Sequence, residues 1–147
     1  MAGSIVVACK QALIEFLQTR ELLNDVQITY GWPGDEEAQR ERIFCGRSRA
    51  EHTQAALKAG RRFRAEESTF DVVIQVEMVG GSPEEAEERA LEIGTEVEEC
   101  IADEKYLGGV EGLHYAVVSG WLLDSLYNDQ GSLAELTYTV QYRARLT

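Results

Sequence analysis

The sequence has few of the residues from which metal centres and nucleophilic catalytic sites are built. Its two histidines, His52 and His114, fall in neither a metal-binding nor a nucleophile motif. General-base catalysis would require a positioned partner for one of them, and the sequence offers none. The carboxylates of Asp35, Glu36 and Glu37 could ligate a cation, but a solvated acidic loop is the better interpretation. We therefore predict no catalytic residues, no metal site, no cofactor and no enzyme.

Disulfides, membrane spans and a leader segment are also missing from the pattern. The three cysteines are odd in number and lack paired spacing, which indicates reduced thiols. No apolar run approaches the roughly 20 residues of a membrane span, and the residues after Met1 lack the features of a signal peptide. We expect a soluble protein made in a cytosol, with no membrane partner. At 147 residues it should form one domain over residues 1–147.

Basic residues are scarce and unevenly placed. The chain has 14 Lys and Arg against 26 Asp and Glu, a net charge of -12, which argues against wrapping nucleic acid by phosphate neutralisation. Arg61-Arg62-Phe63-Arg64 resembles a nucleic-acid patch, but three arginines are too few to outweigh the surrounding acids. Many of the acids fall on one predicted helix, whereas most of the bases fall between Arg40 and Arg64. Two surfaces of opposite sign suit head-to-tail contact between identical subunits, which closes into a ring if the rotation permits. The alternative, which composition alone favours, is simple solvation of a monomer.

These two surfaces supply the candidate contact residues. Trp32, beside Pro33 in a predicted loop, is added because exposed tryptophans are common at interface hot spots, although packing is the commoner role for both Trp32 and Trp121. The candidates for contact with a neighbouring subunit or another assembly partner are Arg47, Arg49, Lys58, Arg61, Arg62, Arg64 and Trp32. The complementary acidic helix face comprises Glu84, Glu88, Glu92 and Glu99.

Hydrophobic periodicity predicts an α+β fold. Every second residue from Phe70 to Met78 is apolar, as in a strand that buries one face. Ser82, Pro83 and Glu85 form a helix start with a capping-box pattern, and Gly94 inside the helix weakens it slightly. The apolar stripe that follows comprises Ala86, Ala90, Ile93, Val97, Cys100 and Ile101.

The remaining segments complete the sheet. Residues 5–23 have helical spacing, and Ala8, Ala12 and Leu22 widen its apolar stripe. Further strands are predicted at 26–30, at 43–49 with Phe44 or Cys45 inward, at 113–123 and at 138–146. Residues 50–68 form either a long projecting arm that continues the strands or a mobile loop that orders on assembly. The expected fold is a mixed, mostly antiparallel sheet of about five strands, with two helices on one face and an extended basic arm or loop.

Several short runs, taken together, resemble a known family. Tyr30-Gly31-Trp32-Pro33-Gly34 follows the first helix, and Gly60-Arg61-Arg62-Phe63-Arg64-Ala65-Glu66 precedes a strand. The acidic helix comes next, followed by Val117-Val118-Ser119-Gly120-Trp121 and by Leu133-Ala134-Glu135-Leu136-Thr137 before the last strand. In this order, over nearly the whole chain, the sequence resembles the tail terminator family of long-tailed (siphovirus-type) bacteriophages.

The resemblance implies a structural virion protein that is made in the host bacterial cytoplasm. Members form a hexameric ring on the head-proximal end of the tail tube and stop tube polymerisation. The implied partners are further copies of the chain, the tail tube protein and a head-tail connector or stopper protein. DNA would pass through the lumen without specific binding.

Two other interpretations remain open at the level of sequence. One is a head-tail stopper or another tail-joining protein, which would share the virion location. The other, from a different class, is a cytosolic α+β module that binds a small ligand or a protein partner through the free face of its sheet.

Overall fold

A computed structural model of the chain describes residues 3–58 and 61–146, and their side chains except those of 53–58 and 61–64. A five-stranded sheet forms the centre of the molecule, with the strand order β1-β2-β3-β5-β4. Strands β1 and β2 are parallel and the other neighbours are antiparallel. In chain order the elements are α1 (Val6–Gln18), a 3-10 turn (Glu21–Leu23), β1 (Gln27–Thr29), β2 (Glu41–Lys58), β3 (Arg61–Val79), α2 (Pro83–Asp103), β4 (Leu113–Asn128) and β5 (Gly131–Leu146).

The predicted α+β class and the mixed five-stranded sheet are confirmed. Even-numbered residues of β3 and β5 face the helices and are buried, from Phe70 to Val76 and from Ser132 to Leu146. Odd-numbered residues lie on the opposite face, hereafter the open face, and apart from the buried Ala65 those with described side chains are intermediate or exposed. This alternation is the period of two that the sequence displays. It places the core on one side of the sheet, between β-strands and both helices.

The long helix α2 begins and packs as the sequence predicts. Ser82 is its N-cap, with a side chain that accepts a hydrogen bond from the Glu85 N–H at 3.2 Å, and Pro83 occupies the first turn. Its buried residues include the whole predicted stripe: Ala86, Ala90, Ile93, Val97, Cys100 and Ile101.

The first helix is shorter than predicted. It ends at Gln18, because the N–H groups of Thr19 and Arg20 bond to carbonyl oxygens three residues back and tighten the last turn. A separate 3-10 turn follows and buries Leu23, whereas Leu22 is 76% exposed. The prediction of one helix to residue 23, with Leu22 in its apolar stripe, is therefore wrong.

The segment around residues 50–68 is strand on both sides of the turn. The strands β2 and β3 form a long hairpin in which Glu41 pairs with Val76 and Lys58 pairs with Arg61. Strand β5 accompanies β3 only up to the pair Arg64–Leu146, so the hairpin continues past the sheet as a two-stranded ribbon. Of the two alternatives drawn from the sequence, the projecting arm is the one observed in the described residues.

The structure also decides which residues of β2 point inward, a choice between Phe44 and Cys45 that the sequence leaves undecided. Ile43 and Cys45 are buried on the core face, and Phe44 lies opposite Val73 on the open face. A register shift between Cys45 and Ser48 marks a bulge where the arm begins. In the described part of the chain, neither α-helix is both long enough and apolar enough to cross a bilayer.

Candidate assembly surfaces

The base of the arm carries two exposed arginines. The side chain of Arg49 is 80% exposed, and its ion pair with Glu51 is long, at 3.7 Å. Arg47 is also exposed and stands near Asp71 on the neighbouring strand. Burial raises the pKa of Asp71, while the positive charges of Arg47 and Lys10 act in the opposite direction. Both arginines thus remain available to a partner, since neither forms a close, buried ion pair.

The other predicted bases of the arm lie toward its end. Lys58 pairs with Arg61 across the ribbon, Leu57 pairs with Arg62, and Gln54 pairs with Arg64. The backbone therefore brings all four predicted bases together within one short ribbon. The side chains of Lys58, Arg61, Arg62 and Arg64 lie outside the described residues.

Trp32 is held inside its own subunit more than the sequence indicates. Its ring packs edge-on against Phe44, with centroids 5.4 Å apart, and the guanidinium of Arg42 lies 5.1 Å from the ring centroid. Arg42 in turn donates to Gln75 at 2.6 Å and to Glu77 at 3.0 Å. About half of Trp32 nevertheless remains exposed, on the open face. Trp121 in β4 is similarly exposed, at 56%.

The four predicted acids of α2 form one stripe on its solvent side. Glu84, Glu88, Glu92 and Glu99 are all exposed, and their spacing places them within one narrow arc of the helix. Only Glu92 among them has a described ion pair, with Arg89 Nη1 at 3.1 Å. Arg89 also holds the carboxylate of Glu41 through two hydrogen bonds, which fastens α2 to the start of β2.

Between the described side chains of the arm and those of the acidic stripe there is no ion pair. Among the described ion pairs, the acids of α2 bond to Arg20 and Arg89, and none bonds to the arm. The chain therefore presents a basic projection and an acidic helix face as two separate surfaces.

A buried carboxylate at the base of the arm escaped the sequence reasoning. Glu66 in β3 has no exposed surface and accepts hydrogen bonds from Tyr142 Oη at 2.5 Å and Ser4 Oγ at 2.9 Å. His52 Nε2 lies 2.9 Å from its other oxygen, so the group joins β2, β3, β5 and the segment before α1. Burial by itself raises the pKa of Glu66, but the bonds from Tyr142, His52 and Ser4 outweigh it and leave the pKa lowered.

The alternation of inward- and outward-facing residues in β3 already indicates that Glu66 is buried. Glu66 and Ser68 continue, at even numbers, the inward-facing series that begins at Phe70. An acid at an inward position requires partners, and His52 lies directly opposite it across the hairpin. A register for the arm was needed before these two residues could be connected.

The three cysteines are free and buried. Burial, with a smaller contribution from the charge of Glu66, raises the pKa of Cys9 to about 12, and burial raises that of Cys45 to about 12. These thiols stay protonated and unreactive at neutral pH. Within the residues that the structure describes, His, Cys, Asp and Glu side chains form no group of three suited to a metal ion.

Comparison with known proteins gives a likeness of fold. No family model matches the chain, and no curated protein matches its sequence. A solved structure titled "Virion of native gene transfer agent (GTA) particle" contains a chain that is similar at a TM-score of 0.60 with 10% identity. The likeness covers 99% of this chain and 100% of that chain, so the whole architecture, and not one motif, is shared.

Proposed function

We propose that this protein is a structural component of a virion, a tail terminator that forms a ring on the head-proximal end of a tail tube. In this role it stops tube polymerisation and joins the tail to the head connector or stopper. Its partners are further copies of itself, the tube protein and the connector. It is made in the cytoplasm of the host bacterium.

The likeness of fold to a chain of a gene transfer agent virion carries this proposal. It covers nearly all of both chains, and the fold is therefore one that is used inside an assembled particle. The sequence resemblance to tail terminators, which rests on different observations, supports the finer assignment. The projecting ribbon of β2 and β3 gives the subunit a means to reach beyond its own core.

The distribution of charge suits a closed ring. Heterologous contacts join two different surfaces of the same chain and close when the rotation permits. The basic arm and the acidic stripe of α2 are two such surfaces, and no ion pair joins their described side chains. Their opposite charges favour docking of the arm on the helix face, whereas two arms or two helix faces would repel each other.

The overall charge also suits a channel through which DNA slides. A net charge of -12 repels phosphate, so DNA passes without specific binding. The hexameric state, on the order of six copies in one closed ring, completes the proposal.

The copy number of the protein in purified particles tests it. Quantitative mass spectrometry against the tube protein, used as an internal standard, should find about one ring's worth, on the order of six copies per particle. A number that scales with tail length would instead indicate a tube component. Absence from particles would overturn the proposal.

A further inference from the structure

Strand β4 is a sheet edge whose side chains are unusually apolar for a surface. It runs from Leu113 to Asn128 and pairs with β5, and in the described part of the chain no strand lies along its other edge. The outward N–H of Ala116 already donates to the Lys105 carbonyl at 2.7 Å, so the part of this edge that is open to a partner is the later one, around residues 121–125. Long exposed apolar edges are templates for pairing with another chain, and proteins ordinarily protect them with charge or proline. The large exposed apolar side chains of β4 are Tyr115, Val117, Trp121, Leu122, Leu126 and Tyr127.

The hydrogen-bond pattern identifies which backbone groups of β4 point outward. The N–H of Arg145 donates to the Gly112 carbonyl. The backbone N–H and C=O groups of odd-numbered β5 residues therefore point toward β4. Leu122 and Asp124 lie opposite the odd-numbered Thr137 and Glu135 and face β5. The alternate residues Trp121, Leu123 and Ser125 therefore turn their N–H and C=O groups away from the sheet.

The opposite edge of the same sheet is also open. Strand β1 covers β2 only at residues 42–44, and the outer edge of β2 is free of other described strands from Arg47 onward. This free edge is basic, with Arg47 and Arg49 exposed. Strand β4 contains Asp124 and no lysine or arginine. The mainly apolar groove beside its first half is lined by one acid, Glu98, and one base, Lys105, so the charge complementarity of the two edges rests on Asp124.

The directions of the two edges match. Each of the pairs β2–β3, β3–β5 and β5–β4 is antiparallel, so β4 runs opposite to β2. A second copy, related by rotation about an axis roughly along the strands, presents its β2 antiparallel to β4.

We propose that the outer edge of β4 in one subunit pairs with the free outer edge of β2, from Arg47 onward, in the next copy. This contact makes one continuous sheet around the ring, and it rests on the ring of the proposed function.

Substitution of one outward-facing residue tests the pairing. Ser125→Pro removes an N–H that points away from β5, and proline is tolerated at such edge positions. The variant should keep the thermal midpoint of the parent protein within a few degrees but run as a monomer in native mass spectrometry, whereas Ser125→Ala should form the ring. A folded Ser125→Pro variant that still forms the ring would overturn the pairing.

Cross-linking gives a second test that does not depend on the stability of the proline variant. Ser125 shares the core-face side of the sheet with the exposed residues Ser48 and Ala50 in the arm, and the native cysteines are buried. Oxidation of Ser125→Cys protein mixed with Ser48→Cys or Ala50→Cys protein should give a disulfide-linked dimer. The matched control, Arg49→Cys, places the thiol on the opposite face and should not link to Ser125→Cys.

The two proposals fail in distinguishable ways. A ring in the parent protein, without cross-links from either Ser48→Cys or Ala50→Cys, would overturn the edge pairing and leave the ring intact. A parent protein that stays monomeric at high concentration and is absent from particles would overturn both.

Discussion

Glu66 is a carboxylate that the fold buries completely and surrounds with donors. The Tyr142 hydroxyl, the Ser4 hydroxyl and the His52 ring all reach it, and each comes from a different segment of the chain. Charge-assisted hydrogen bonds of this kind are short and stronger than neutral ones. The group thus holds together the base of the arm, the end of β5 and the entry to α1.

Replacing this carboxylate by its neutral isostere should destabilise the protein. Glu66→Gln retains the volume but removes the charge and replaces one acceptor oxygen by an NH2 group. The hydrogen bonds that remain therefore lose their charge assistance, whichever way the amide is turned. We expect the free energy of unfolding to fall by about 2 to 3 kcal/mol, the cost of losing hydrogen bonds to a buried charged group. Urea unfolding followed by circular dichroism measures it.

Glu67→Gln is the matched control, because Glu67 neighbours Glu66 but lies on the open face, half exposed, with a weak 4.0 Å ion pair to Arg143. It should change the free energy of unfolding by no more than about 0.5 kcal/mol. Equal losses in the two variants would contradict a special role for Glu66.

The same residue predicts a dependence of stability on pH. The pKa of Glu66 is lowered in the folded state from its ordinary value of 4.5. The unfolded chain therefore binds more protons below that value, and stability falls as the pH drops from the unfolded pKa through the folded one. The difference in unfolding free energy between the parent and Glu66→Gln should be full at pH 6 and should shrink below pH 4.5. A difference in unfolding free energy that stays constant from pH 6 to pH 3 would contradict the lowered pKa of Glu66.

At the scale of elements, the contact between α2 and β5 depends on a missing side chain. Gly94 faces the sheet, and a Cβ there would lie 2.5 Å from Tyr138 Oη and 2.7 Å from Leu136 Cδ2. Both of these side chains are themselves buried, so a shift of either one disturbs a close-packed core. The glycine weakens the isolated helix, as its sequence predicts, but it permits the helix to approach the sheet closely.

Gly94→Ala should therefore destabilise the protein although alanine favours helices. The gain in helix propensity is about 1 kcal/mol, and the overpacking against Tyr138 and Leu136 costs about 1 to 3 kcal/mol, so the net effect should be a lower thermal midpoint. Differential scanning calorimetry measures this midpoint. Thr95→Ala, at the adjacent exposed position, is the control and should leave the midpoint nearly unchanged. A higher midpoint in Gly94→Ala would show that the sheet yields at this contact.

The start of α2 provides a further prediction. Ser82→Ala removes the acceptor for the Glu85 N–H and should lower the free energy of unfolding by about 1 kcal/mol. Ser82→Asp retains an acceptor and should preserve most of the stability. An equal loss in both variants, measured by urea unfolding, would contradict the capping role.

Much of this fold could be predicted from the sequence where the periodicity is strong. The strand at Phe70, the cap at Ser82 and the stripe of α2 follow local rules, and all three are confirmed. The predicted end of α1 is wrong because the helical spacing of apolar residues continues through Leu22, whereas the backbone leaves the α-helix after Gln18. Glu66 was missed because a buried acid is recognised only through partners that are distant in sequence.

At the scale of the whole molecule, the assembly residues remain predictions. Arg61→Glu, Arg62→Glu and Arg64→Glu together replace three positive charges at the end of the arm by negative ones. We expect the triple variant to lose ring formation or tube capping, because like charges across a contact repel. Native mass spectrometry and electron microscopy of tail length measure the two outcomes.

The matched control keeps the charge and changes the shape. Replacing the same three arginines by lysine should retain assembly if the contact is mainly electrostatic. A second variant, with Glu84, Glu88 and Glu92 changed to lysine, should partly restore assembly when it is mixed with the reversed arm. Unchanged assembly in the glutamate triple variant would exclude the arm from the contact.

The strand order also determines when, during folding, the edge of β4 takes its place in the sheet. Strand β5 lies between β3 and β4, and its pairing with β3 joins residues as distant as Arg64 and Leu146. Contacts so far apart in sequence close slowly, typically over about milliseconds to seconds for sheet-rich domains. Until β5 inserts, β3 and β4 have no common neighbour, and the apolar edge of β4 is not yet aligned with the rest of the sheet. If the proposed ring forms through this edge, folding of the monomer precedes association, and its rate sets the earliest time of ring assembly.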